Sequence, residues 1–178
     1  VAAYLMGVRV SSIRAAMSGF NTSFEMTPGR LNRFDKLPFP VIMDFAHNPD
    51  GLRRLSEFVD RQEVSGRKVI AFAGSADRTD VQIRNMARSV AGHFDFYFCK
   101  QYTPDGKRVD RPTSHILQQE LLKCGIAEEM TVVRTYGREV IFEILDSCEP
   151  GDLLIMAMGN VEKFQLAGFI DEYIEARS

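Results

Sequence analysis

Five apolar runs, each followed by a stretch of helical periodicity, leave this chain few ways to fold. The runs are Val41–Phe45, Lys68–Ala73, Phe94–Cys99, Met130–Thr135 and Leu153–Met158. Nothing polar interrupts Val69-Ile70-Ala71-Phe72-Ala73, so such a strand must be covered on both faces. Between the runs, apolar residues recur every three or four positions, as at Leu52, Leu55, Phe58 and Val59. The expected helices run from Pro49 to about Arg61, Asp80 to about Ala91, Thr113 to about Cys124, Arg138 to about Ser147 and Val161 to about Ala176. Asp80 and Thr113 read as N-caps of their helices, and Gly125 reads as a stop. Doubly covered strands alternating with helices specify the α/β class: a doubly wound, mostly parallel sheet with helices on both faces.

The first 36 residues do not share this rhythm. Val1–Met6 reads as a helix end closed by Gly7. A short helix capped by Ser11 or Ser12 then carries Ile13, Ala16 and Met17 and stops at Gly19. Two small helices without a core partner do not make a domain. Residues 1–27 therefore read as the tail of a preceding domain, 28–36 as a hinge or first strand, and 37–178 as the domain proper.

Net charge near -2 gives no global basic field for nucleic acid or an anionic membrane, and no apolar run reaches the length of a membrane span. Cys99, Cys124 and Cys148 are scattered without Cys-x-x-Cys or Cys/His spacing. A reducing cytoplasm is therefore expected, with neither structural zinc nor a disulfide framework.

Chemistry concentrates where the first run ends, in Asp44-Phe45-Ala46-His47-Asn48-Pro49. Asn48 is an N-cap type, Pro49 suits the first helical position, and Asp50 suits the helix dipole. Capping does not explain a carboxylate and an imidazole at the same strand exit. In open α/β sheets that edge is where ligands bind.

Four segments carry a resemblance: Pro28-Gly29-Arg30-Leu31-Asn32-Arg33-Phe34, the Asp44–Pro49 run, Gly74-Ser75-Ala76-Asp77-Arg78-Thr79-Asp80, and Gly151-Asp152-Leu153-Leu154-Ile155. Together they resemble the carboxy-terminal part of the Mur ligase superfamily of ATP-dependent amide-forming ligases. Within it they are most similar to the cyanophycin synthetases, and folylpolyglutamate synthases share the first two motifs. The resemblance implies that this domain closes over ATP and presents an incoming amino acid or peptide. A central domain of the same polypeptide, ending near residue 27, would hold the phosphates and magnesium. No Gly-Lys-Thr or Gly-Lys-Ser phosphate loop occurs in the chain, so it is not expected to be competent alone.

By the same resemblance, Arg30 reaches the nucleotide phosphates, Asp44 accepts from the ribose hydroxyls, and His47 and Asn48 lie toward the phosphate end. Ser75, Asp77, Arg78 and Asp80 line the amino-acid site, where an Asp could fork to a guanidinium. Asn160 follows the last strand, and there the chain lacks the Gly-Lys-Gly-His-Glu common in peptidoglycan relatives. Each residue also has a plain structural reading: Arg30 as a surface arginine, Asp44 as a loop stabiliser, Asn48, Asp80 and Asn160 as caps, Arg78 as a partner of Asp77. A non-catalytic binding module on the same fold is the alternative. A phospho-accepting receiver domain is disfavoured, since Asp44 is followed by the Ala-His-Asn-Pro cap.

Overall fold

The structure, a computed structural model, describes residues 1–20, 23–24, 26–74, 77–101, 112–135, 137–157 and 162–177. The strands are β1 (Asn32–Phe34), β2 (Val41–Asp44), β3 (Lys68–Gly74), β4 (Phe96–Gln101), β5 (Thr131–Thr135) and β6 (Leu153–Ala157). They form one sheet in the order β1-β2-β6-β3-β4-β5. All neighbours are parallel except β1, which runs antiparallel to β2. The expected class therefore holds, with an antiparallel edge strand supplied by the hinge segment.

Helices α1 (Ala2–Leu5) and α2 (Val10–Ser18) precede the sheet. Then α3 (Pro49–Asp60), α4 (Asp80–Val90), α5 (Thr113–Lys123), α6 (Arg138–Asp146) and α7 (Glu162–Glu175) alternate with the strands. The pleat sorts side chains into two cores. On one face Ile42, Ile70, Phe72 and Ile155 pack under Leu52, Leu55 and Val59 of α3, Ile83 and Met86 of α4, and Leu117 and Leu121 of α5. On the other face Val41, Met43, Val69 and Met156 pack under Ile141 and Ile144 of α6 and Leu166 and Ile170 of α7. Each fully buried aliphatic chain contributes about 1.5–3 kcal/mol relative to exposure.

This arrangement makes β6 the topological oddity. The helices after β2 and β3 lie on one face, whereas α7, which follows β6, lies on the opposite face. The carboxyl ends of these strands are the position where α/β sheets take ligands.

Several local expectations change. The helix expected to be capped by Ser11 or Ser12 starts at Val10, with Arg9 as N-cap and no side-chain cap bond. Thr79, not Asp80, caps α4: its hydroxyl accepts from Gln82 N at 3.3 Å while the Gln82 carboxamide accepts from Thr79 N at 3.0 Å. A Thr with Gln three residues on completes a reciprocal box, which Asp80, with Ile83 three residues on, cannot make. Thr113 is the first helical residue of α5 and not its cap, because its hydroxyl donates across to Gly74 O at 2.8 Å. The strand β4 starts at Phe96; Asp95 instead pins the start of β3, accepting from Lys68 N at 2.7 Å and donating its own N–H to Lys68 O at 2.8 Å.

No residue of α1 or α2 is buried, and Tyr4, Leu5 and Met17 are 61, 76 and 71% exposed. From Phe24 onward the chain joins the fold: its ring lies 6.1 Å from that of Phe34. Among the described residues no helix is long and apolar enough to cross a membrane.

Candidate functional site

Three chain exits share the carboxyl edge of the sheet. Asp44, the last residue of β2, pairs in register with Ala157 at the end of β6, and Ala157 pairs with Phe72 of β3. Asp44 and the β3 exit therefore stand roughly 10 Å apart, two strand spacings across β6. The candidate residues on the β2 and β3 exits are thus brought to one edge.

The β2 exit is the better defined. The turn before β1 folds back onto it: Phe45 N donates to Gly29 O at 2.8 Å, and Leu31 N donates to the Asp44 carboxylate at 3.1 Å. Gly29 and Leu31 both adopt positive φ, +78° and +49°, so the turn doubles back around Arg30. Arg30 is exposed, with its guanidinium 5.6 Å from the Phe45 ring centroid. Asp44 is half-buried. Burial pushes its carboxyl above the ordinary value, against the pull of the Leu31 N–H, the Arg30 charge and the Ala46 N–H.

His47 stacks on Phe45 with centroids 4.4 Å apart. Its Nδ1 lies 2.8 Å from Phe45 O, and since a carbonyl only accepts, Nδ1 carries the proton there. Nε2 is then left for a ligand, and it can donate only when the ring is an imidazolium. Asn48 caps α3, its side-chain oxygen accepting from Gly51 N at 2.8 Å, with Pro49 at the first turn. The capping reading of Asn48 therefore holds, and it sets the α3 amino terminus beside Asp44.

At the β3 exit Asp77 and Asp80 are exposed, Arg78 is half-buried, and Asp80 pairs with Arg84 at 3.6 Å. Ser75 and Asn160 lie outside the described residues. Sequence reasoning missed three groups at this edge. Asn32 is 1% exposed and knits the Arg30 turn. Thr113 anchors the β3 exit through Gly74. Lys100, fully buried, ends the apolar run of β4 beside Ala73 and Arg134. The Asn and Thr looked like turn and cap residues, and no local pattern distinguishes a residue that bonds across the fold.

The family model of the Mur ligase glutamate ligase domain matches residues 29–160, from the Arg30 turn to the β6 exit. The chain belongs to the Mur ligase family. This Mur ligase domain is 28% identical, over 92% of its length, to a cyanophycin synthetase from Synechocystis sp., of which it covers 18%. It is 31% identical to the UDP-N-acetylmuramoyl-L-alanyl-D-glutamate--2,6-diaminopimelate ligase of Caldanaerobacter subterraneus, covering 92% of this chain and 32% of that one. A solved folylpolyglutamate synthase from Mycobacterium tuberculosis, complexed with ADP and AMPPCP, superposes at TM-score 0.62 with 18% identity over 90% of this chain and 35% of its own. The chain thus spans less than a third of the length of these curated relatives.

Proposed function

We propose that this domain closes over ATP and positions an amino-acid amine for an ADP-forming amide ligase, in concert with a preceding domain of the same polypeptide. The observation that carries the reading is the presence, at one strand exit, of the half-buried Asp44 carboxylate and the exposed Arg30 guanidinium, whose charge acts on it. Relatives named for amide-forming ligation, and a fold relative complexed with ADP and AMPPCP, support it.

In this reading Asp44 accepts from the ribose hydroxyls, and Arg30 forks to phosphate oxygens. A substrate carboxylate oxygen attacks the γ-phosphorus of ATP, and ADP leaves. The amine nitrogen then attacks the acyl-phosphate carbon, inorganic phosphate departs, and the nitrogen loses a proton. The chain's own residues supply orientation and positive charge and no covalent nucleophile. His47 adds a donor toward an oxyanion when charged, at an edge where the amino terminus of α3 already favours anions. Asn48 sets that terminus. The amine is assigned, by the family resemblance, to Ser75, Asp77, Arg78, Asp80 and Asn160.

Among the described residues, no three His, Cys, Asp or Glu side chains gather as a metal ion would need. In this reading the magnesium that accompanies ATP falls to the preceding domain, as the family resemblance implies. The exposed apolar residues of α1 and α2 fit the same assignment, as the last helices of that domain.

The test uses the longer protein. ADP release is measured with ATP, magnesium and single amino acids, for the native protein and for Arg30→Ala and Asp44→Ala. Each substitution should weaken nucleotide use by one to two orders of magnitude, roughly the effect of losing a charged hydrogen bond. Unchanged kinetics in both would remove them from the site. A non-catalytic module would release no ADP with any amine.

A further inference from the structure

Arg30 is the one exposed residue among Thr27 to Asn32, and what fixes it is not its own side chain. Asn32 sits on β1 opposite Met43, 1% exposed, rooted in the sheet. Its side-chain oxygen accepts from Gly29 N at 2.6 Å, and its Nδ2 donates to Thr27 O at 3.0 Å. The same Thr27 carbonyl accepts from Arg30 N at 3.1 Å. Both neighbours of Arg30 are held as well, Gly29 by Phe45 N and Leu31 by Asp44.

We propose that Asn32 is a positioning residue that presets the Arg30 guanidinium at the nucleotide crevice. The proposal rests on the reading that Arg30 meets nucleotide phosphate. The physical case is one of prepayment of order. The turn has two left-handed residues flanking Arg30, at Gly29 and Leu31, a conformation a free chain seldom holds. The Asn32 carboxamide spans that turn with one acceptor and one donor, so its geometry is settled before any ligand arrives. A guanidinium whose backbone is already fixed loses less freedom on meeting phosphate oxygens. No other side chain type of this size offers both hydrogen-bonding roles in one rigid plane except Gln, whose extra methylene would not fit a buried site built for Asn.

The experiment is a double-mutant cycle in the longer protein carrying the preceding domain. Affinity is read with an ATP analogue labelled on the adenine, and thermal unfolding is followed in parallel. Arg30→Ala, Asn32→Leu and the double variant are compared with the native protein. Asn32→Leu should raise Kd roughly tenfold in the native background and less than about twofold in the Arg30→Ala background, since residues acting through one group do not add. Equal factors in both backgrounds would overturn the proposal, because Asn32 would then act independently of Arg30. A weakened Arg30→Ala beside an unaffected, folded Asn32→Leu would overturn it while leaving the nucleotide reading intact. An unaffected Arg30→Ala would overturn both. If Asn32→Leu does not fold, Asn32→Asp carries the same cycle: it keeps an acceptor for Gly29 N and loses the donor to Thr27 O.

Discussion

Leu31 and Asp44 hold each other: the Leu31 amide donates to the Asp44 carboxylate at 3.1 Å while Leu31 sits at φ +49°. A left-handed conformation at a residue with a side chain costs about 1–2 kcal/mol. A charge-assisted hydrogen bond is of similar size, so the strained turn and the half-buried acid persist together. The same carboxylate that stabilises the loop is the one assigned to the ribose. The loop-stabilising and ligand-binding readings of Asp44 are therefore compatible, since a carboxylate has about four lone-pair sites.

Asp44 should carry a stability penalty for its place at the site. Burial raises its folded carboxyl above the ordinary 3.8, so over that interval the folded chain binds more protons than the unfolded one. Stability then falls as pH rises through the window, and the penalty is fully present near neutrality. Asp44→Asn keeps an oxygen to accept from Leu31 and cannot ionise. Thermal melts should show it at least as stable as the native chain near pH 7, with the gap closing as pH drops below the ordinary carboxyl value. In the longer protein the same variant should lose nucleotide use. A large loss of stability near pH 7 would contradict the assignment.

Asp152 behaves in the opposite sense. Burial opposes its charge, but bonds from the Arg67 side chain and from the Glu149 and Arg67 amides outweigh it and hold the carboxyl below 3.8. It is 3% exposed and takes Arg67 Nη2 at 2.7 Å, Arg67 N at 2.7 Å and Glu149 N at 3.0 Å. Its contribution is complete above the ordinary carboxyl value and lost as pH falls through the lowered one. Asp152→Ala should lose roughly 2–4 kcal/mol in denaturant titrations near neutral pH. That deficit should shrink in acid.

Thr113→Val should separate the two halves of the crevice. It removes the donor to the Gly74 carbonyl, a buried acceptor, at about 1–2 kcal/mol. Thr113→Ser should restore most of that. If the loop after Gly74 serves the amine as proposed, the valine variant in the longer protein should raise KM for the amine and leave nucleotide affinity near native. Equal effects on both substrates would count against the division of roles.

The sheet was legible because its strands are continuous apolar runs, and the start of α3 because Asn48 and Pro49 carry the signals of a cap and a first helical turn. What escaped was reach across the chain. Thr113 resembles a cap until Gly74, 39 residues away in sequence, is seen to need a donor. The Thr79 box was available in the sequence, since Gln82 stands at the right spacing, but the neighbouring Asp80 drew the assignment. β1 falls inside the segment read as a hinge or first strand, but its three-residue length is too short for a period to mark its bounds. Strand order was not legible either, because no local pattern marks the last strand as an inner one.

Placing β6 between β2 and β3 has a consequence for how the protein comes into being. Strand Val41–Asp44 has no permanent neighbour on its inner side until Leu153–Ala157 has left the ribosome. Until then Val41–Asp44 and Lys68–Gly74 both wait with open edges, exposed to wrong pairing. A truncation anywhere before Ala157 would remove a keystone and not a fringe, and would leave the β2 and β3 exits without the strand that joins them.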